Sequence, residues 1–340
     1  MKCSVVILNW NGEQMLRQYL PSVLAYTQSP DVEIVVADNG STDASLAHLQ
    51  TQAVKVIQLD KNYGFAEGYN RAIAQVDAEY VVLLNSDVEV TPGWLDTMLD
   101  YMDAHPQTLA AQPKVLAWQS KQDYKASKCT TIHFEHAGAA GGMMDILGYP
   151  YCRGRLMTYV EDDLGQYDKI APIFWATGAC LLLRTRVYKD LGGLDAQFFA
   201  HQEEIDLCWR ILNYAISDTH PTVVCIPQAV VYHLGGGTLG YDNPRKTYLN
   251  FRNNLLMLYK NLPNAHRWWI MIVRFFMDYL AAAQMLVTGQ TNNVKAVVQA
   301  RLAYHRMKRK YTLNGNKNNG FRQLTRRSIV LDFYLKGKKK

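Results

Sequence analysis

The sequence predicts an α/β protein: a doubly wound, mostly parallel sheet followed by a C-terminal helical extension. Three observations predict it. In Tyr80-Val-Val-Leu-Leu-Asn-Ser-Asp-Val-Glu-Val90, four consecutive apolar residues read as a strand buried on both faces, as in a parallel sheet covered by helices. Across the first hundred or so residues, strand-like runs alternate four times with apolar residues at helical spacing. The runs also end in amides and carboxylates, Asn9, Asp38, Asn62 and Asp87, and in open α/β sheets the carboxyl ends of the strands line the ligand crevice.

In chain order, residues 4–8 form a strand and Asn9-Trp-Asn-Gly12 a turn, after which Met15, Leu16, Tyr19, Leu20 and Val23 recur at helical spacing. A second strand, 33–37, stops at Asp38-Asn39-Gly40-Ser41, and Ser41 or Thr42 can cap a helix over 44–49. A third strand covers 54–59 and is followed by a helix around 68–76. The fourth strand leads to Pro92, which suits the first position of another helix. The stretch 118–169 is turn-rich and reads as a long loop over the crevice. Its Arg153 and Arg155 either meet phosphates through bidentate bonds or are ordinary surface charges.

The chain has 340 residues, enough for one large domain or two small ones, and a formal net charge of +6. That charge is unevenly spread. Residues 291–340 carry 14 Lys or Arg against the single acid Asp332, a balance of +13 that leaves −7 for the remainder. A basic tail suits an anionic membrane surface, and no recognised nucleic-acid module accompanies it. The six cysteines form no CxxC pair and read as buried thiols in a reducing compartment. Nothing at the N-terminus resembles a signal peptide, so the expected location is cytoplasmic, peripheral at the inner face of the plasma membrane where the tail docks.

The absence of GxxxxGK[ST], and of GxGxxG after the first strand, argues against a phosphate-loop NTPase or a dinucleotide-dependent dehydrogenase. A sugar nucleotidyltransferase would want a glycine-rich loop with a basic residue after that strand, which Asn9-Trp-Asn-Gly12 does not supply. Each polar candidate has two readings. Asp87 handles a metal or phosphate, or belongs to a polar turn; Asp38 accepts a bond from a base or ribose, or makes an Asx bond to Gly40 or Ser41. His233 is a ligand or a loop histidine, and the glycines at 235–237 would let backbone approach a ligand. Glu203 and Glu204 stand where Ile205, Cys208, Trp209 and Leu212 begin a helix, so they are a base or merely acids favoured by its dipole. Asp206 and Arg210 form an i, i+4 pair.

Four strings taken together are more specific: Ser4-Val-Val-Ile-Leu-Asn-Trp-Asn11, Val36-Ala-Asp-Asn-Gly-Ser-Thr-Asp43, Asn62-Tyr-Gly-Phe-Ala-Glu-Gly-Tyr-Asn70 and Leu83-Leu-Asn-Ser-Asp87. With Gly178 to Arg184, Leu191-Gly-Gly-Leu-Asp195, Phe198 to Arg210 and Tyr232 to Thr238, they resemble family 2 glycosyltransferases of the GT-A fold, closest to the bacterial rhamnosyltransferase-like branch. The resemblance covers roughly residues 3–260. It implies a GT-A domain over 1–260, with a nucleotide-binding half (1–116) and an acceptor and catalytic half (117–260), ahead of a basic helical extension (261–340).

By the same resemblance, Asn85-Ser86-Asp87 is this chain's version of the DxD metal motif, with Asn in place of the first Asp. Asp87 and His233 would hold Mg²⁺ or Mn²⁺. Glu204 would be the base, with Glu203 and Asp206 beside it, although the family's usual base is Asp. Asn9 and Asp38 would hold the nucleoside end, and Asn62, Gly64, Asn70 and Asn85 the rest of the donor. The implied activity is inverting transfer of a hexosyl or deoxyhexosyl unit from a UDP- or dTDP-linked donor to a glycan or lipid-linked acceptor of the cell surface. A non-catalytic sugar-nucleotide-binding or scaffolding protein of the same fold is the alternative.

The stretch 268–288 is long enough to span a bilayer but contains Arg274 and Asp278. Each costs about 2.5–3.5 kcal/mol near the centre, while some nine strongly apolar residues return only about 0.3–0.6 each, so the sum disfavours spanning. Arg267, Arg274 and Asp278 share one helical face, which predicts an amphipathic helix lying on a membrane or packed on the body.

Overall fold

A computed structural model describes residues 1–214, 221–235, 243–311, 313 and 318–337. The first hundred residues run β1 (Cys3–Asn9), α1 (Glu13–Tyr26), β2 (Val32–Asp38), α2 (Ser45–Leu49), β3 (Lys55–Gln58), α3 (Gly64–Ile73), β4 (Tyr80–Asn85), β5 (Val88–Val90) and α4 (Trp94–Ala104). Strands β1 to β4 pair in parallel in the order β3-β2-β1-β4. β1 and β4 are buried along almost their whole length, because helices cover both faces of the sheet. On one face Leu16 and Leu20 of α1 pack with Trp94 and Met98 of α4. On the other, Tyr69 and Ile73 of α3 join the main core.

The second half adds β6 (Thr108–Ala117) and α5 (Trp118–Lys125), then β7 (Gly142–Met144), β8 (Pro150–Cys152), β9 (Arg155–Leu156) and β10 (Tyr159–Val160). It continues with β11 (Ala171–Pro172), β12 (Cys180–Arg184), α6 (Thr185–Asp190), α7 (Glu203–Leu212) and β13 (Thr222–His233). β12 enters antiparallel between β4 and β6, and β13 runs parallel to β6 and antiparallel to β5 and β11. The result is a nine-stranded, mostly parallel sheet with an antiparallel insertion. The six cysteines are free, five of them buried.

Four local expectations are corrected. The stretch 118–169 is not one loop: it holds α5 and a four-stranded antiparallel sheet, β7 to β10, whose strands of two or three residues are too short to show a period. Pro92 lies in the turn before α4, which starts at Trp94 after the left-handed Gly93. Neither Ser41 nor Thr42 caps α2; Asp43 Oδ1 accepts the Ser45 N–H at 3.1 Å instead. α3 begins four residues earlier than its apolar spacing suggested, at Gly64.

The C-terminal helices are α8 (Pro244–Asn261), α9 (Asn264–Val287), α10 (Thr291–Met307), α11 (Asn319–Arg322) and α12 (Ile329–Lys336). Ile270, Tyr304, Phe321 and Leu324 share the core that reaches the sheet, so residues beyond 261 continue the same packing. Arg274 and Asp278 of α9 are buried against the body.

Candidate functional site

Parallel register brings the first polar groups together. Asn9 is opposite Asp38 across β1 and β2, and Leu8 is opposite Asn85 across β1 and β4. Asn9 and Asp38 are fully buried. Asn9 Nδ2 donates to Asp38 Oδ2 at 3.1 Å and to Ser41 Oγ at 3.3 Å, while the Ser41 N–H donates to Asp38 Oδ1 at 2.9 Å. Asp38 thus makes the local turn bond and engages both oxygens. Asn9 Oδ1 is buried without a hydrogen-bond partner, an acceptor that a ligand donor would satisfy.

Asn39, which sequence reasoning passed over, is the strut beside them. Its Nδ2 donates to Asn62 Oδ1 at 3.2 Å and to the Gly64 carbonyl at 3.1 Å, and its Oδ1 accepts the Tyr63 N–H at 3.0 Å. Asn62 Oδ1 also accepts the Gly64 N–H at 2.8 Å. Gly64 has φ +79°, and a Cβ there would stand 2.6 Å from the Phe199 ring, so no side chain fits. Asn70 is set apart from the donor-binding group. Its Oδ1 accepts the Tyr188 hydroxyl at 2.6 Å and the Leu194 N–H at 2.9 Å, and its Nδ2 donates to the Leu194 carbonyl at 2.8 Å, so its amide fastens α3 to the 188–194 segment.

The antiparallel pairing of β5 with β13 places His233 opposite Val88, beside Asp87. His233 Nε2 lies 3.2 Å from Asp87 Oδ1 and 3.5 Å from Asn85 Nδ2. On the other side of the ring, Glu135 Oε2 is 3.5 Å from Nδ1, which makes no hydrogen bond. Burial alone would lower the imidazole pKa, but Asp87 and Glu135 outweigh it and hold it at about 10. Burial would likewise raise Asp87, and His233 reverses that, for a net shift downward.

No three His, Cys, Asp or Glu side chains converge on a metal position among the described residues. One carboxylate and one imidazole nonetheless fit Mg²⁺ or Mn²⁺, which would displace the imidazole proton and take its remaining ligands from phosphates and water. Glu135 behind the ring supplies the carboxylate–histidine arrangement that orients metal-bound histidines. Sequence reasoning missed Glu135; its place between His133 and His136 in a turn-rich stretch was the available signal. Gly235, at φ +67°, stands against this same Glu135, and residues 236–237 lie outside the described residues.

The acid pair starts α7. Phe199, His201 and Gln202, directly before it, all have positive φ (65°, 71° and 74°), a strain of order 1–3 kcal/mol per residue. α8 holds this turn. Asn253 Nδ2 donates to the carbonyls of Phe198, Ala200 and His201 at 3.0, 2.9 and 2.7 Å, and Arg252 donates to those of Gln197 and Phe198. The Phe199 carbonyl accepts the N–H groups of Phe65 and Ala66, which ties the turn to α3.

Glu203 Oε2 and Glu204 Oε2 are buried without hydrogen-bond partners. Burial pushes the Glu204 carboxyl up to about 7, and burial together with the charge of Glu204 pushes Glu203 well above the usual range. The Glu204 Cβ lies 3.8 Å from where a Cβ on Gly178 would stand, and the adjoining Ala179 carbonyl accepts the Asn85 N–H at 3.0 Å. The acids therefore sit at the strand edge that carries Asn85 and Asp87.

Asp206 does not join them. It is fully buried and saturated by Arg210, Lys260 and Asn261; burial would raise its carboxyl, but Lys260 and Arg210 outweigh burial and the net shift is downward. That makes Asp206 a structural ion-pair centre rather than a catalytic group. Arg153 and Arg155, for which either a phosphate role or a surface role was expected, both make internal contacts. Arg153 donates to the Ala140 carbonyl and lies over the Tyr167 ring, while Arg155 donates to the His136 carbonyl.

The carboxyl edge of the sheet thus carries a carboxylate–imidazole pair, with Glu203 and Glu204 near it and their Oε2 atoms without hydrogen-bond partners, an arrangement suited to a nucleotide-sugar transferase. Residues 4–137 match the family described as Glycosyl transferase family 2. An N-acetylglucosaminyl-diphospho-decaprenol L-rhamnosyltransferase of Mycobacterium tuberculosis is 28% identical over 252 residues, covering 70% of this chain and 78% of that one. O-antigen biosynthesis protein RfbC of Myxococcus xanthus is 28% identical over 240 residues, 68% of this chain and 17% of that one. These names agree with the rhamnosyltransferase-like branch.

Among solved structures, GalNAc-T7 with UDP, GalNAc and Mn²⁺ aligns with a TM-score of 0.57 at 14% identity, over 91% of this chain and 56% of that one. S. aureus TarS 1-349 in complex with UDP-GlcNAc aligns with 0.54 at 17% identity, over 91% and 85%. At these identities the likeness concerns the fold.

Proposed function

We propose that this glycosyltransferase moves a hexosyl or deoxyhexosyl unit, with inversion, from a UDP- or dTDP-linked donor to a glycan or lipid-linked acceptor in cell-surface polysaccharide synthesis, from the inner face of the plasma membrane. The observation that carries the reading is the pairing, at one sheet edge, of Asp87 and His233 with the unpartnered Glu203 and Glu204. The name of the M. tuberculosis relative supports a lipid-linked acceptor, and the ligands of the structural neighbours support a nucleotide diphosphate donor.

In this reading residues 1–116 hold the nucleotide, with the free Asn9 Oδ1 accepting a bond from the nucleoside end. A divalent cation held by Asp87 and His233 would neutralise the diphosphate charge. Glu204, with its carboxyl near 7, takes the acceptor hydroxyl proton as that oxygen attacks the anomeric carbon and the bond to the diphosphate breaks. Beside it, burial and the charge of Glu204 disfavour ionisation of Glu203. Asn253 and Arg252 keep the turn before α7 in place, so the base needs no reorganisation.

Calorimetry with UDP-, dTDP- and GDP-sugars, with and without Mn²⁺, tests this on the wild type and on Asp87→Ala. Metal-dependent binding of one nucleotide sugar, lost in the variant, is the expected result. No binding of any nucleotide sugar under any condition would overturn it.

A further inference from the structure

The longest helix of the chain is inside out. α9 turns its charges inward: Arg274 and Asp278 are only 2% and 1% exposed. Arg274 donates to Asp278 Oδ1, to the Leu147 carbonyl at 3.0 Å and to Asn254 Oδ1 at 2.5 Å, and Arg301 of α10 donates to Asp278 Oδ2 at 3.1 Å. Outward it presents Trp268 (65% exposed), Ile272 (52%), Phe276 (67%), Leu280 (65%), Leu286 (58%) and Val287 (89%). Between residues 268 and 287 the exposed side chains with polar groups beyond the Trp268 indole are Tyr279 and Gln284. At 1.5 Å per residue the apolar strip runs for roughly 30 Å. A helix on the surface of a water-soluble protein shows the opposite polarity, and a strip of this size marks a docking surface.

Charge identifies the occupant. α10 packs alongside α9, and its exposed residues Lys295, Val298, Leu302 and Arg306 follow at helical spacing, an apolar pair with a cation at each end. The segment 291–340 as a whole carries +13. An apolar strip beside cationic side chains complements an anionic bilayer, whereas the same positive charge on a second copy of the chain would repel it. The bonds from Arg274 to the body keep that side of α9 out of lipid, so the helix lies in the membrane plane rather than across it.

We propose that the outer face of α9, flanked by the basic face of α10, seats the protein on an anionic lipid bilayer. Arg274 gives this seat a link to the acid pair: Asn254, which it holds, donates to Gln202 Oε1 at 3.2 Å, and Gln202 directly precedes Glu203. The docked helix thereby sets how the catalytic turn faces the membrane. The proposal deepens the membrane location proposed above and rests on that location, not on the reaction, because vesicle binding and donor binding succeed or fail independently.

Flotation of the full chain with phosphatidylcholine vesicles, with and without phosphatidylglycerol, tests it. The wild type is expected to float with the anionic vesicles, more weakly with neutral ones, and less at high salt. Phe276→Glu with Leu280→Glu should lower the bound fraction about tenfold or more. Both residues are largely exposed, so thermal unfolding should match the wild type. Leu164→Glu, at a 73% exposed apolar residue of another surface loop, should float as the wild type does. A wild type that stays unbound with anionic vesicles, or a double variant that floats as well as the wild type, overturns the proposal. So does a solution dimer that the double variant dissociates while neither form floats, which would assign the strip to a contact between copies.

Discussion

The two sides of the crevice are built on opposite terms. On the nucleotide side, Asn9, Asp38, Asn39 and Asn62 are laced together by hydrogen bonds, in a backbone that follows directly from parallel strand register. On the side proposed as catalytic, the buried Oε2 atoms of Glu203 and Glu204 lack hydrogen-bond partners and three non-glycine residues in four positions are left-handed. One side leaves a single acceptor, Asn9 Oδ1, without a partner. The other stores backbone strain and carboxyl oxygens without partners, and helix α8 supplies the bonds that hold it. Stability and chemistry should therefore respond in opposite directions when the acids themselves are neutralised, and together when a bond that holds their turn is removed.

The largest effect is expected at Glu204. Glu204→Gln keeps the shape and removes the base, so kcat should fall by about 10²–10⁴ with little change in donor affinity. Glu203→Gln should retain more of the activity than Glu204→Gln, since burial and the charge of Glu204 both disfavour ionisation of Glu203. In the wild type, kcat should rise with pH through about 7, the value to which burial lifts Glu204. One unit below it, only about a tenth of the molecules carry the ionised base.

Stability runs the other way. A carboxyl whose folded pKa exceeds its unfolded value of 4.5 makes the native state bind the extra proton, so its favourable contribution is present below 4.5 and is lost as pH rises through about 7. Above pH 7, Glu204→Gln should therefore unfold at a higher temperature than the wild type. A Gln variant that is both inactive and less stable across that range would break the contrast between the two sides.

A smaller effect is expected at Asn253, which touches no catalytic group. Asn253→Ala strips the donor from three backbone carbonyls, a loss of roughly 1–3 kcal/mol in a buried setting. The strained turn then relaxes and the acids lose their aim. Steady-state kinetics should show a lower kcat with donor KM almost unchanged, and the melting temperature should drop. If donor KM rose while kcat held, Asn253 would belong to the nucleotide side and the division would have to be redrawn.

The β1–β4 edge was legible as fold because its information is local. A bare apolar run such as Val81 to Leu84 predicts a buried strand, and its end predicts where Asn85 and Asp87 stand. The catalytic side depends on side chains far apart in sequence. Nothing near Glu203 announces that Asn253, fifty residues on, completes its turn, although two consecutive asparagines inside an amphipathic helix pattern are a sign of buried polar duty. Asp206 was misjudged for the same reason: its neighbour Arg210 was visible, but Lys260 and Asn261, which saturate it, were not. The polarity of α9 was readable as a pattern, with Arg274 and Asp278 on one face. Which face meets solvent is a tertiary fact, decided by Leu147, Asn254 and Arg301.

The smallest effect tests the stretch that sequence reading handled least well. Arg153 reads as a phosphate ligand or an ordinary surface charge on a long loop; it bonds the Ala140 carbonyl and lies over the Tyr167 ring beside the small sheet. Arg153→Ala should leave the dissociation constant for the nucleotide sugar unchanged by calorimetry and reduce stability by only about 1 kcal/mol, the scale of one hydrogen bond and one partly exposed cation–π contact. A clear weakening of donor binding would mean that the small sheet closes over the diphosphate. The nucleotide side would then extend into 118–169, and the line between the two sides would run through that sheet instead of along β4.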